Sequence, residues 1–273
     1  DRSPSRGLGD VYKRQPSKYF VQDYETVLIN TNDGVVLSGW WMETDKNAPT
    51  VIGLHGVTSG KHSPDVLLVG GMLVSEGFNY LTFDFRDHGE STCEDGVHSA
   101  GQKEIYDVKA AIDWLVNEKN IPSDKIGLHG SSFGAMVALM AQYVSDDINA
   151  LSIVDTPFDF ATLVREELIY QGFPPFLYEP VNHYALLFEG IDITEVSPED
   201  GVSKGKNPMI IFNGIKSDRV LSHHTDDLVN AGNQYNVEML INRYPELSHT
   251  EVMFMYPDEF LNKIVPFFKE KLN

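Results

Sequence analysis

Apolar and polar positions along the chain follow two different periods. Tyr24 to Ile29 and Val35 to Trp41 alternate on either side of Asn32-Asp33-Gly34, as the arms of a hairpin do when successive side chains face opposite sides. After this the apolar runs become short and continuous: Val51 to Leu54, Tyr80 to Phe83, residues 125–129, Ala150 to Val154, Met209 to Phe212 and Val237 to Ile241. Such runs fit strands buried on both faces. Helical spacing separates them. Ile105, Val108, Ile112 and Leu115 make one apolar stripe within Gly101 to Asn120, and Pro64 to Glu76, Ser222 to Asn233 and Pro257 to Lys271 read as further helices. Eight strands, the later ones alternating with helices, predict an α/β architecture with a mostly parallel sheet and helices on both faces.

One interval breaks the alternation. Roughly 50 residues separate the strand ending near Asp155 from the one opening near Pro208, about twice what a crossover helix requires. A cap insertion over about 157–207 is therefore expected. It is aromatic, with Phe158, Phe160, Tyr170, Phe173, Phe176, Tyr178, Tyr184 and Phe188, and most of these rings are expected to hold the cap to the body while a few line a pocket.

Composition changes the picture in three ways. Residues 1–15, DRSPSRGLGDVYKRQ, lack hydrophobic period and resemble translated sequencing-adapter DNA, so they are expected to be a non-native leader ahead of one domain over 16–273. The formal net charge of −19 argues against nucleic acid and anionic membranes as partners, and no apolar run reaches the ~18 residues of a membrane span. Cys93 is the only cysteine, which excludes an internal disulfide and leaves a cytoplasmic location as the expectation.

The chemistry centres on Gly130-Ser131-Ser132-Phe133-Gly134, a GxSxG turn between an apolar strand and a helical start. Ser132 occupies the corner of such an elbow, and the glycines flank it where a side chain would collide with backbone. A serine needs a base, and the base needs an acid to hold its tautomer. His249 follows the last strand, and Asp218 follows the strand Met209 to Phe212. Asp155 also ends a strand and is the alternative acid, although a strand-ending aspartate often caps a helix instead. His223 and His224 are expected on the exposed first turn of their helix, His183 on the surface of the cap, and His62 and His98 in loops without an acid partner. No histidine pair has HExxH spacing, so neither a metal nor another cofactor is expected. The run His55-Gly56-Val57-Thr58-Ser59-Gly60-Lys61 fails as a phosphate loop, because GxxxxGK[ST] requires glycine at 55 and Ser or Thr at 62, and both are histidine. It reads better as an oxyanion loop, with the amides of Val57 and Phe133 converging on one oxygen.

The run Thr50 to Gly56, the segment Asp84-Phe85-Arg86-Asp87-His88-Gly89-Glu90-Ser91, the GxSxG turn, Asp218 and His249 together resemble the α/β-hydrolase superfamily, and within it the serine-aminopeptidase-like and lysophospholipase-like esterases. The likeness runs from Asp23 to the C-terminus. It implies the α/β-hydrolase fold with Ser132, His249 and Asp218 as the triad, and mainly structural roles for His55, His88 and Asp84. Asp87 departs from the family's usual glycine. The cap is rich in carboxylates, including Glu166, Glu167 and Glu179, against Arg165 and Lys204, which disfavours anionic substrates such as coenzyme A thioesters. The expected activity is cleavage of small to medium, neutral, apolar or aromatic carboxylic esters. The alternatives are an aminopeptidase or amidase whose cap carboxylate holds a free amino group, and a non-catalytic binder of a small hydrophobic ligand.

Overall fold

The computed structural model describes residues 23–272, so the expected leader over 1–15 lies outside the described residues. The strands are β1 (Glu25–Asn30), β2 (Val36–Met42), β3 (Thr50–Leu54), β4 (Asn79–Phe83), β5 (Ile126–Ser131), β6 (Ala150–Val154), β7 (Met209–Gly214) and β8 (Met239–Tyr244). They form one sheet in the order β1-β2-β4-β3-β5-β6-β7-β8. The hairpin β1–β2 joins it antiparallel, and every pairing from β4 to β8 is parallel. The C-terminal ends of β3, β5, β6, β7 and β8 therefore open on one edge, where open α/β sheets bind ligands.

Helices cover both faces. On one side α1 (Pro64–Ser75) and the closing α8 (Pro257–Lys271) bury Val66, Leu73, Phe260 and Phe268 with Tyr80 and Phe212 of the sheet. On the other, α2 (Glu104–Asn117), α3 (Phe133–Ala141) and α7 (His223–Tyr235) bury Ile105, Ile112, Met136, Leu139 and Leu228 against Ile52, Leu128 and Ile153. The stripe read from the sequence is the buried face of α2: Ile105, Val108, Ile112 and Leu115 are all fully buried.

The interval between β6 and β7 contains α4 (Phe160–Tyr170), a 3₁₀ turn (Pro175–Leu177), α5 (Tyr178–Tyr184), a π turn (Ala185–Glu189) and α6 (Pro198–Gly205). A capping box at Ser197 and Asp200 starts α6, which packs against α3 and α7. Contact there is close enough that a Cβ on Gly201 would stand 2.0 Å from the Leu139 carbonyl oxygen.

Trp40 and Trp41 are both buried, and two expectations are corrected. β8 starts at Met239, because Asn236 takes a left-handed conformation (φ 59°) and Val237 N donates to Gly232 O, closing the end of α7. The cap rings divide: Phe158 and Tyr178 are buried, whereas Tyr170, Phe173, Phe176 and Tyr184 are each more than half exposed, and Tyr170 packs against Arg219 of the body at 5.1 Å.

Candidate active site

The GxSxG turn is a sharp corner. Ser132 has φ 55° and ψ −121°, a conformation that costs a non-glycine residue about 1–3 kcal/mol. The surroundings hold it there: Ser132 N donates to Val154 O of β6, while Ser132 O accepts from Ala135 N and Met136 N at the start of α3. A Cβ on Gly130 would lie 2.5 Å from Gly134 C, and one on Gly134 would lie 2.2 Å from Leu54 O. Both glycines are thus required so that α3 can leave β5 beside β3.

The end of β3 carries the second half of the site. His55 is buried and its Nε2 accepts from Phe85 N, so Nδ1 carries the proton and donates to Gly56 O at 2.8 Å. Burial pushes the His55 imidazole down to about 4, which keeps it neutral. His88 reaches Val57 O at 2.6 Å through Nε2 and Arg86 O at 2.9 Å through Nδ1. Two histidines thus hold two successive carbonyls of the loop, and among the described residues no acceptor takes the amide of Val57 or of Phe133. Beneath them the buried Lys61 and Asp84 form an ion pair, and Asp84 also accepts from the amides of Lys61 and Glu90. Asp87 stands at φ 61°, the conformation that suits glycine, and its Oδ1 accepts from the amides of Glu94, Asp95 and Gly96. Its own hydrogen bonds therefore stabilise the departure noted in the sequence.

His249 follows β8 and shares a pocket with Ser132, Val57 and Phe133. Burial, reinforced by Arg219 and opposed by Asp218, holds its imidazole down at about 4. The partner of Nδ1 is Ser217 Oγ at 3.2 Å. Asp218 stands beside the ring rather than against it: the residue is exposed and lines a smaller cavity of about 290 Å³ beneath α4. Asp155 is buried, with Oδ1 accepting from Gly214 N (2.8 Å) and Asn213 Nδ2 (3.1 Å) and Oδ2 from Thr250 N (2.7 Å). It ties the ends of β6 and β7 to the histidine loop, and burial raises its carboxyl to about 6.

The pocket has a volume of about 610 Å³, with walls of Pro157, Phe160, Leu163, Val164, Val220 and Phe254. His98, set aside in the sequence as a loop histidine, forms part of this wall between the rings of Phe133 and Phe160. His224 is likewise corrected: it is fully buried, accepting from Phe158 N through Nδ1 and facing Glu166 through Nε2. Glu166 also pairs with His223, and Glu167 with Arg219 at 3.1 Å, so two ion pairs fasten α4 to the body. Glu166, His223 and His224 bring three metal-ligand atoms within 4.8 Å of one another. The Phe158 amide fixes the proton on His224 Nε2, so the trio is arranged as a hydrogen-bonded clasp. His183 is exposed, as expected.

An open, mostly parallel eight-stranded sheet with a strained serine corner after β5 defines an α/β hydrolase. Solved structures agree. The esterase Pf2001 of Pyrococcus furiosus superposes with a TM-score of 0.77 at 27% identity, over 95% of this chain and 94% of its own. The acylaminoacyl peptidase of Pyrococcus horikoshii, at 16% identity and a TM-score of 0.72 over 91% of this chain and 42% of its own, shows the same fold. The chain belongs to the prolyl oligopeptidase family, whose sequence model matches residues 70–273. Among curated relatives, the uncharacterized protein YqkD of Bacillus subtilis is 27% identical over 202 residues, covering 71% of this chain and 64% of that protein. The polyketide transferase af380 of Aspergillus fumigatus is 29% identical over 142 residues, or 50% and 47% of the two. The chain thus spans about half to two thirds of the length of these two relatives. Among the described residues no helix is long and apolar enough to cross a membrane.

Proposed function

We propose that the protein is a serine hydrolase that cleaves small to medium, neutral carboxylic esters through an acyl-enzyme. Ser132 Oγ attacks the carbonyl carbon while His249 Nε2 takes its proton, and the amides of Val57 and Phe133 receive the negative oxygen of the tetrahedral intermediate. His249 then gives the proton to the departing alkoxide. Water repeats the sequence on the acyl group and frees Ser132. Asp218 supplies negative charge near the imidazolium as it forms. Each amide of the oxyanion pair is worth about 2.7–4 kcal/mol of transition-state stabilisation in comparable sites.

The observation that carries this reading is one pocket containing the strained Ser132, His249 and the amide-bearing residues Val57 and Phe133. Its apolar walls suit an acyl chain or an aromatic ring. The family's name and the acylaminoacyl peptidase likeness keep an amidase or aminopeptidase in view. Against it, two carboxylates line the pocket, and both are engaged: Glu167 pairs with Arg219, and Asp65 accepts from the Ser63 hydroxyl.

A panel of p-nitrophenyl esters of rising chain length, assayed beside aminoacyl p-nitroanilides, tests the assignment. The expected result is a higher kcat/KM for the butyrate to octanoate esters. Preference for the anilides replaces the esterase with a peptidase.

A further inference from the structure

We propose that His98 is a substrate-binding residue whose Nε2–H donates a hydrogen bond to the acyl group, so that the preferred esters carry an ether or carbonyl oxygen within an otherwise apolar acyl chain. The inference rests on the hydrolase reading above and narrows its substrate class.

The tautomer is set from within the loop. Ala100 N–H donates to His98 Nδ1 at 3.2 Å, which leaves the ring proton of a neutral imidazole on Nε2. Burial pushes the imidazole below its ordinary value, with Glu104 opposing and His88 reinforcing, so the neutral form prevails near pH 7. Glu104 does not take the ring proton; its oxygens accept from Ser99 N, Ser99 Oγ and Gly101 N. Among the described residues nothing accepts from Nε2, and the part of His98 that stays accessible faces the pocket.

The ring is also held in place. Its centroid lies 5.3 Å from that of Phe133 on the body and 6.1 Å from that of Phe160 on α4, the second contact edge-on at 82°. Phe160, Leu163 and Val164 surround it with apolar wall. An all-carbon chain in this pocket strips water from the Nε2–H and leaves it without an acceptor, which costs free energy. An oxygen in the chain restores the bond, and a donor already oriented by two rings loses little freedom in making it.

Strand order places this donor on the acyl side. β3 and β4 lie on one side of β5, and β7 and β8 on the other. His98 lies between β4 and α2, whereas His249 follows β8. His249 has to stand beside the departing alkoxide to protonate it, so the alcohol occupies that side and the acyl group the side of Phe133 and His98.

The test is a matched series of esters. p-Nitrophenyl hexanoate is compared with analogues in which an ether oxygen replaces one methylene of the acyl chain, moved stepwise toward the tail, on the wild type and on His98→Phe, which keeps an aromatic ring. Dividing the ether-to-alkyl ratio of kcat/KM in the wild type by the same ratio in the variant cancels the intrinsic reactivity of each ester and any uniform loss of activity. The expected quotient is about 3- to 10-fold at one chain position and near unity at the others. His98→Gln, which keeps an N–H donor, should retain part of the preference. A quotient near unity at every position overturns the proposal, as does a His98-dependent gain found only when the oxygen is moved to the alcohol of a hexanoate ester. A second measurement needs no turnover. In Ser132→Ala, nitrogen NMR of histidine-ring-labelled protein should find His98 protonated on Nε2, and that proton should move downfield on adding the best ether ester but not the hexanoate. Protonation on Nδ1, or the same response to both esters, overturns the proposal. A wild type that hydrolyses none of these esters overturns the functional reading instead, and the binding measurement still decides His98.

Discussion

At Ser132 a non-glycine residue holds a glycine-like conformation, and three backbone hydrogen bonds offset the strain. This geometry points the hydroxyl away from the sheet, and the proposed chemistry depends on what stands around it. His249 sets the pH range. Its imidazole is held at about 4, below the ordinary 6.5, so the base stays neutral and competent until the pH falls through about 4. The acid limb of kcat/KM for a neutral ester should therefore bend near pH 4; a bend at 6.5 or above contradicts the burial argument. Arg219→Ala removes a nearby positive charge and should move that bend upward. His88→Ala releases the Val57 carbonyl, loosens the preceding peptide plane that carries the Val57 amide, and should lower kcat by about tenfold or more with little effect on KM. The serine, the histidine and the oxyanion loop were all legible from their positions after core strands. The contact between Ser217 Oγ and His249 Nδ1 was not, because it depends on how the turn after β7 coils, and the sequence pointed to Asp218 or Asp155 instead.

Among the elements, α3 and α4 bear on the site most directly. The first turn of α3 passes so close to β3 that any side chain on Gly134 meets Leu54 and His55 backbone. Gly134→Ala should cost about 3 kcal/mol, visible as a lower urea midpoint at unchanged slope. A variant as stable as the parent would show that α3 can lift away freely. The other element, α4, forms the roof of the pocket and is tethered through Glu166 and Glu167. Glu166→Ala should loosen the roof and raise KM for longer esters more than it lowers kcat; the opposite split would place Glu166 in the chemistry. Strands and body helices were legible because their periods were unmixed, as in α2. The cap was legible only as an interval of excess length. Its rings looked like core to a reading based on hydrophobicity, yet Phe173 and Phe176 face outward, since a cap of short helices has too little interior to bury them.

Over the whole molecule, parallel pairing brings the ends of β3, β5, β7 and β8 to one edge, so residues far apart in the chain meet there. That meeting was legible from the strand pattern, because Val57, Ser132, Asp218 and His249 each follow a different strand. The molecule also carries a net charge of −19, which should repel anionic substrates before they reach the pocket. A p-nitrophenyl ester ending in a carboxylate should show a lower kcat/KM than its neutral counterpart at low ionic strength, and salt should narrow the gap as the screening length shrinks toward ~10 Å and below. A gap that salt leaves unchanged would point to the pocket walls instead. The central claim, that Ser132 is the nucleophile of a working hydrolase, is tested most directly by intact-mass measurement after exposure to a fluorophosphonate. The account predicts one adduct on the wild-type protein, located on the peptide that contains Ser132, and none on a folded Ser132→Ala variant. An unlabelled, folded wild type, or an adduct that persists in Ser132→Ala, would contradict it.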